Sequence, residues 1–240
     1  MKLKNISLYL FLFLNWLNPI FANTEQLLIT SFGHSSFLLK GNNQSILLNP
    51  FKAKGCTNDL LEVNDEEADF ILASSRLYDE GYNPNNKLMF VEPGIYKIKD
   101  IVISGISVPH DRLNGRRFGL ATVWTWRQNN YKIVHMSGAA GPLKVEDQIL
   151  LARPDILFIS IGGGAKSYTG YEAANIVSKL KPKIIVPVHY LKNDEKKDNC
   201  DFSNSDEFLK NVSDYNLKFV GNSFEIDKKD ITTNSIYIIE

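Results

Sequence analysis

A surplus of charge of one sign is missing from this sequence. Its 240 residues carry 27 lysines and arginines against 27 aspartates and glutamates. No basic excess is left to track a phosphate backbone, so nucleic acid is not an expected partner. Cysteine is scarce: Cys56 and Cys200 are the only two. They allow a single pairing, or two separate thiols, and sequence alone leaves both open. Internal repeats, low-complexity linkers and a domain boundary are also lacking, so residues 23–240 read as one domain. The glycine run Gly162-Gly163-Gly164 has neither the Gly-x-Gly-x-x-Gly spacing nor the Lys-Ser/Thr pair of a phosphate loop. It reads instead as a place where backbone must approach backbone closely.

Long apolar runs are confined to the start of the chain. Lys2 and Lys4 precede the apolar stretch Leu8–Leu14, and Ile20-Phe21-Ala22 precedes Asn23. This is the layout of a secretory signal peptide over residues 1–22, and it predicts a periplasmic or secreted protein. The apolar stretch is short for a membrane span and is broken by Asn15 and Asn18. A membrane is an expected partner only if this segment stays attached. Export would permit a disulfide between the two cysteines.

With 44% hydrophobic residues, the rest of the chain can build a large core. Short apolar runs bounded by turn residues predict strands. They include Leu27–Thr30, Phe37–Leu39, Ser45–Leu48, Phe70–Ala73, Ile101–Val108, Leu120–Arg127 and Tyr131–His135. Gly41-Asn42-Asn43 and Gln128-Asn129-Asn130 are the turn signals between neighbours. A short helical piece is expected around Leu60-Leu61. Helix–strand alternation follows. Leu143–Ala152 reads as helix stopped by Pro154, then strand Ile156–Ile161. A helix over Tyr171–Leu180 has Thr169 as its N-cap and Ala173, Ile176, Val177 and Leu180 on one face. Strand Ile184–Val188 comes next, and a last helix over Ser205–Val212.

The order of the short polar motifs is more specific than any one of them. Gly33-His34-Ser35-Ser36-Phe37 comes first, then Asn49-Pro50-Phe51 after the next strand. Ala68-Asp69 enters the strand that breaks into Ser74–Gly81. Pro109-His110, His135-Met136-Ser137-Gly138 and Pro187-Val188-His189-Tyr190 follow at later strand ends. In this order, from about Ile29 to Tyr190, the chain resembles the metallo-β-lactamase-fold hydrolases. The most similar branch is that of ascorbate-6-phosphate lactonase and related metal-dependent hydrolases. The resemblance implies an α+β, four-layer αββα sandwich of two mixed β-sheets with helices on the outer faces.

The resemblance also implies where metal ligands would stand, and several are missing. The family's Thr-His-x-His-x-Asp-His motif puts its histidines at Ser75, Leu77 and Glu80 and its aspartate at Asp79. The bridging aspartate falls at Gly138, and Asn49 replaces another aspartate. His110 and His189 are retained. Leu77 has no lone pair to offer a cation. Asp79, Glu80 and His189 could still hold one divalent ion, zinc, manganese or iron. Arg76 could pair with a carboxylate where a cation once sat. His34 and His135 could serve only to bond the backbone or close a strand end. Thr169 could line the rim, and the loops carrying Cys56 and Cys200 should frame the cleft. Three readings remain: a metal-free protein binding a small molecule in the old cleft, with no cofactor; a one-metal lactonase or esterase; and a structural or partner-binding protein. Whether the chain is an enzyme is left open.

Overall fold

In a computed structural model of the chain, residues 26–192 and 200–240 are described, so the expected signal segment at 1–22 lies outside them. One sheet has six strands in the order β13 (Ser223–Ile226), β1 (Leu27–Gly33), β2 (Ser36–Gly41), β3 (Gln44–Leu48), β4 (Phe70–Leu72) and β5 (Met89–Phe90). The other has eight: β12 (Asn216–Val220), β14 (Ser235–Ile239), β11 (Ile184–Val188), β10 (Ile156–Ser160), β9 (Tyr131–Met136), β8 (Leu120–Gln128), β7 (Ile101–Pro109) and β6 (Gly94–Ile98). Both sheets are mixed, as expected.

The hairpin turns show why local sequence was informative. Asn42 and Asn43 have φ of 51° and 55°, and Asn129 and Asn130 have 49° and 67°. Two consecutive left-handed residues make the turn whose twist matches that of paired strands, and asparagine tolerates that region.

Alternation along the strands builds two cores. Ile133, Ile156, Phe158, Ile184 and Val186 face the six-stranded sheet and meet Leu39, Ile46, Phe70 and Leu72. Their neighbours Val134, Leu157, Ile159 and Ile185 face the other way, onto the helices. These are α1 (Val145–Leu151), α2 (Gly170–Leu180) and α3 (Asp206–Asn211). Thr169 caps α2 reciprocally: its Oγ1 accepts from the Glu172 N–H at 3.1 Å, and Glu172 Oε2 accepts from the Thr169 N–H at 2.8 Å.

The described helices sit on the eight-stranded side alone. The outer face of the six-stranded sheet packs Leu38, Leu47 and Ile71 against Val63, Ala68 and Val91, without a helix among the described residues. The helical piece expected around Leu60-Leu61 is instead a 3₁₀ turn at Gly55–Thr57. Thr57 holds it by bonding the Lys52 and Lys54 carbonyls, while Leu61 is exposed.

Trp124 and Thr122 join the two sheets near the functional end. Trp124 Nε1 donates to the Ala73 carbonyl at 2.9 Å, and the Thr122 N–H donates to the Ser74 carbonyl at 2.8 Å. The end of β4 is thereby fixed against β8. The ends of β3, β4, β7, β9, β10 and β11 then converge at one edge of the sandwich. No described helix is long and apolar enough to cross a membrane.

Candidate functional site

Several of the polar residues picked from sequence at these strand ends are tied to another strand's end. Asn49, fully buried, takes a left-handed φ of 41° just after β3. Its Nδ2 donates to Ser137 Oγ at 2.7 Å and Ser74 Oγ at 3.0 Å, with Ser35 Oγ at 3.3 Å. Its Oδ1 accepts from the Ser74 N–H at 2.7 Å. An aspartate could only accept here, whereas the amide both donates to these hydroxyls and accepts from the Ser74 N–H. Ser137 Oγ continues the network to His135 Nε2 at 3.0 Å.

A second network is built on Glu80. His110 Nε2 is 3.0 Å from Glu80 Oε1, and Ser75 Oγ donates to Oε2 at 3.1 Å. Both side chains of the pair are fully buried. Breaking such a pair from one side typically costs about 3–5 kcal/mol. Gly138 lies between the networks: a Cβ there would stand 2.5 Å from Ser74 Cβ and 2.8 Å from Glu80 Oε2.

His189 adopts φ of 52° directly after β11 and donates its backbone N–H to the His34 carbonyl at 3.2 Å. Their rings lie 4.0 Å apart, and Phe202 stacks on both, at 5.7 Å from His34 and 5.4 Å from His189. The glycine run does allow close approach, since a Cβ on Gly162 would sit 2.0 Å from the His189 carbonyl oxygen.

Above this buried layer opens a cleft of about 590 Å³, with His34, Leu77 and Asp79 in its lining. Lys166 forms an ion pair with Asp79 Oδ2. Asp79 Oδ1 and both ring nitrogens of His189 have no hydrogen-bond partner among the described residues. The Cys56–Cys200 disulfide is formed, with Cα atoms 4.8 Å apart, and both cysteines line the cleft. Among the described residues, no group of three or more His, Cys, Asp or Glu side chains is placed to hold a metal ion.

Of the cleft candidates read from sequence, His34 and Asp79 line the cleft, Asn49, Glu80, His110, His135 and His189 form the buried layer beneath it, and two are corrected outright. Arg76 points away from the cleft and pairs with Glu92 at 3.2 Å, with both side chains more than two-thirds exposed. A pair so solvated adds little. Thr169 is the cap of α2 and is not among the cleft-lining residues. The structure also adds residues that sequence reasoning passed over. Asp111 accepts four backbone N–H bonds, from Leu113, Gly115, Arg117 and Phe118, at 2.7–3.0 Å. Burial opposes its ionisation, but these bonds prevail and hold its carboxyl below the usual range. The loop so shaped delivers Arg117 and Phe118 to the cleft. An aspartate following a strand end and a histidine was the one available signal.

Burial also sets the protonation of the inner layer. It pushes His135 down to about 4, against the upward pull of the Ser35 backbone and the Glu80 charge. His189 is pushed well below the ordinary imidazole range by burial and then by the charge of His34. For Glu80 burial alone would raise the pKa, but the charge and hydrogen bond of His110, followed by the charge of Lys166, outweigh it and keep the carboxylate ionised. A further contribution from His189 requires that ring to be protonated, which its own burial disfavours.

The acid response therefore has a definite sign. Between the ordinary imidazole value of 6.5 and about 4, the unfolded chain binds more protons at His135 than the folded one. Stability falls as pH falls through that window. His135 alone contributes about 3 kcal/mol of this loss. His189 acts with the same sign, and the depressed Glu80 extends the loss at still lower pH. We expect the urea midpoint at pH 5 to lie clearly below that at pH 7. Equal midpoints would mean that His135 is not buried as a neutral ring.

A family profile described as "Beta-lactamase superfamily domain" matches residues 28–189. Among solved structures, a candidate Zn-dependent hydrolase of the metallo-β-lactamase superfamily from Thermotoga maritima is 22% identical. It superimposes with a TM-score of 0.70 over 89% of this chain and 98% of that one. A metallo hydrolase from Ignicoccus hospitalis, 18% identical, gives a TM-score of 0.56 over 78% and 91%. A candidate metal-dependent hydrolase from Parabacteroides distasonis, 16% identical, gives 0.58 over 88% and 92%. At these identities the likeness is one of fold. No curated protein matches the sequence.

Proposed function

Because the chain belongs to the β-lactamase superfamily domain family, we propose that it is an exported member that has given up the metal centre and binds a small molecule in the cleft above it. One observation carries this reading: Glu80. Its two oxygens are taken by His110 and Ser75, and it fills the space beside Gly138, where the resemblance puts a bridging carboxylate.

The donor set does not suit a divalent ion. Glu80 and His110 are spent on each other, and an ammonium group already occupies one oxygen of Asp79. Leu77 cannot donate, and His135 is bonded to Ser137. Asp79 Oδ1 and the His189 ring nitrogens lack a hydrogen-bond partner among the described residues, but no group of three or more His, Cys, Asp or Glu side chains there is placed to hold a metal ion with three protein ligands. These groups leave unspent hydrogen-bonding capacity at the cleft lining, in Asp79, and in the buried layer, in His189. The disulfide supports export, because such bonds persist in oxidising compartments.

Elemental analysis of the exported protein, purified without chelator, tests the proposal. We expect zinc, manganese and iron to be far below one per chain. A firmly held equivalent would overturn the metal-free reading in favour of a hydrolase using Asp79, Glu80 and His189.

A further inference from the structure

The cleft walls carry their own chemical preference, and this inference rests on the small-molecule reading just given. Three cations line the cleft, Lys54, Arg117 and Lys166, against two acids, Asp79 and Asp201. Both acids are engaged. Lys166 pairs with Asp79, and Asp201 Oδ2 accepts the Ala165 N–H at 2.7 Å. Lys54 and Arg117 form no ion pair with any described carboxylate.

Both free cations lie against aromatic rings. Lys54 Nζ is 5.4 Å from the centre of the Tyr78 ring, and the Arg117 guanidinium is 4.9 Å from that of Phe118. Phe202, stacked over His34, completes an aromatic wall. The formal balance of the lining is one positive charge. A monoanion neutralises that balance, whereas a phosphate dianion overshoots it. A guanidinium fork suits a carboxylate's two oxygens, and flat rings on the walls favour a flat body between them.

We infer that the cleft takes an aromatic carboxylate, its carboxylate group held by Arg117 and Lys54 and its ring packed against Tyr78, Phe118 and Phe202.

Three fluorescent probes that share a naphthalene ring and carry an anionic, a neutral or a cationic polar group test this with the full exported chain: 2-naphthoate, 2-naphthalenemethanol and 2-naphthylmethylammonium. We expect 2-naphthoate to bind at least about tenfold more tightly than the alcohol, since a charge-assisted hydrogen bond is worth about that factor. Added salt should weaken it. Arg117→Gln and Lys54→Gln should each remove most of the preference. Both side chains are exposed, and Asp111 uses only the backbone of Arg117, so these variants should fold. Equal binding of alcohol and naphthoate, or tighter binding of the ammonium compound, would overturn the anion preference while sparing the small-molecule reading. Phenyl phosphate binding above naphthoate would overturn the carboxylate. If none of the naphthyl probes binds, the inference fails. A thermal-shift hit from an unrelated chemical class would then keep the broader reading alive, and no hit at all would remove both.

Discussion

Replacing Gly138 with aspartate is expected to destabilise the protein by about 4 kcal/mol or more, enough to lower its melting temperature by roughly 10 °C. Two costs combine. The new Cβ would stand 2.5 Å from Ser74 Cβ, a distance real side chains do not adopt. Ser74 cannot easily retreat, because its N–H is held by Asn49 and its carbonyl by Thr122. The added carboxylate would also enter a buried space 2.8 Å from Glu80 Oε2, next to a like charge. Gly138→Ala should show the steric part alone. Adding Glu80→Gln to Gly138→Asp should recover the electrostatic part while losing some of the His110 pairing. Thermal unfolding of the three variants separates these contributions. If Gly138→Asp melts with the parent, Ser74 and Glu80 do not occupy the space assigned to them. The same result would reopen that position to a metal-bridging carboxylate.

Loss of the disulfide is expected to rank next. Cys56 and Cys200 are 144 residues apart in sequence. Chain-entropy models give about 3–5 kcal/mol for closing a loop of this order. Cys56→Ser with Cys200→Ser should therefore lower the melting temperature by roughly 10 °C, and a dithiol reductant should do the same to the parent. The cleft should suffer less than the stability. Phe202 reaches His34 and His189 from a segment that is also pinned by backbone: the Ser203 N–H donates to the Gly162 carbonyl at 2.7 Å, and the Leu191 N–H to the Ser203 carbonyl at 3.0 Å. Coincident melting curves for parent and double variant, both without reductant, would mean that the bond does not constrain the unfolded chain. Thiol titration of the unfolded, unreduced protein would then show whether it forms at all.

Much of the fold was legible because its determinants are local. Alternating apolar residues mark a strand wherever they lie, and paired asparagines specify a hairpin turn by their own φ preference. Thr169 caps α2 through residues three positions away. The order of the short motifs along strand ends pointed to the superfamily, and with it to the edge at which Asn49, Asp79, Glu80, His110, His135 and His189 gather. The resemblance puts ligand positions at Leu77 and Gly138, and the sequence alone shows that neither side chain carries a donor atom.

Tertiary structure decided which of these residues serve each other. Glu80 faces a histidine 30 positions away, and Asp79 faces a lysine 87 positions away. Arg76 lies four residues before Glu80 and turns to solvent. No periodicity distinguishes Arg76 from Lys166 as a partner for the acidic turn, because the choice depends on where two loops from different strand ends come to lie. The walls of the cleft were unreadable for the same reason. Tyr78, Phe118 and Phe202 come from three separate loops, brought together by the Asp111 backbone bonds, the disulfide and the close approach at Gly162. A side chain's local preferences are written in its neighbours along the chain. Its partners in a cleft are set by the convergence of strand ends, and that exists only once both sheets have packed.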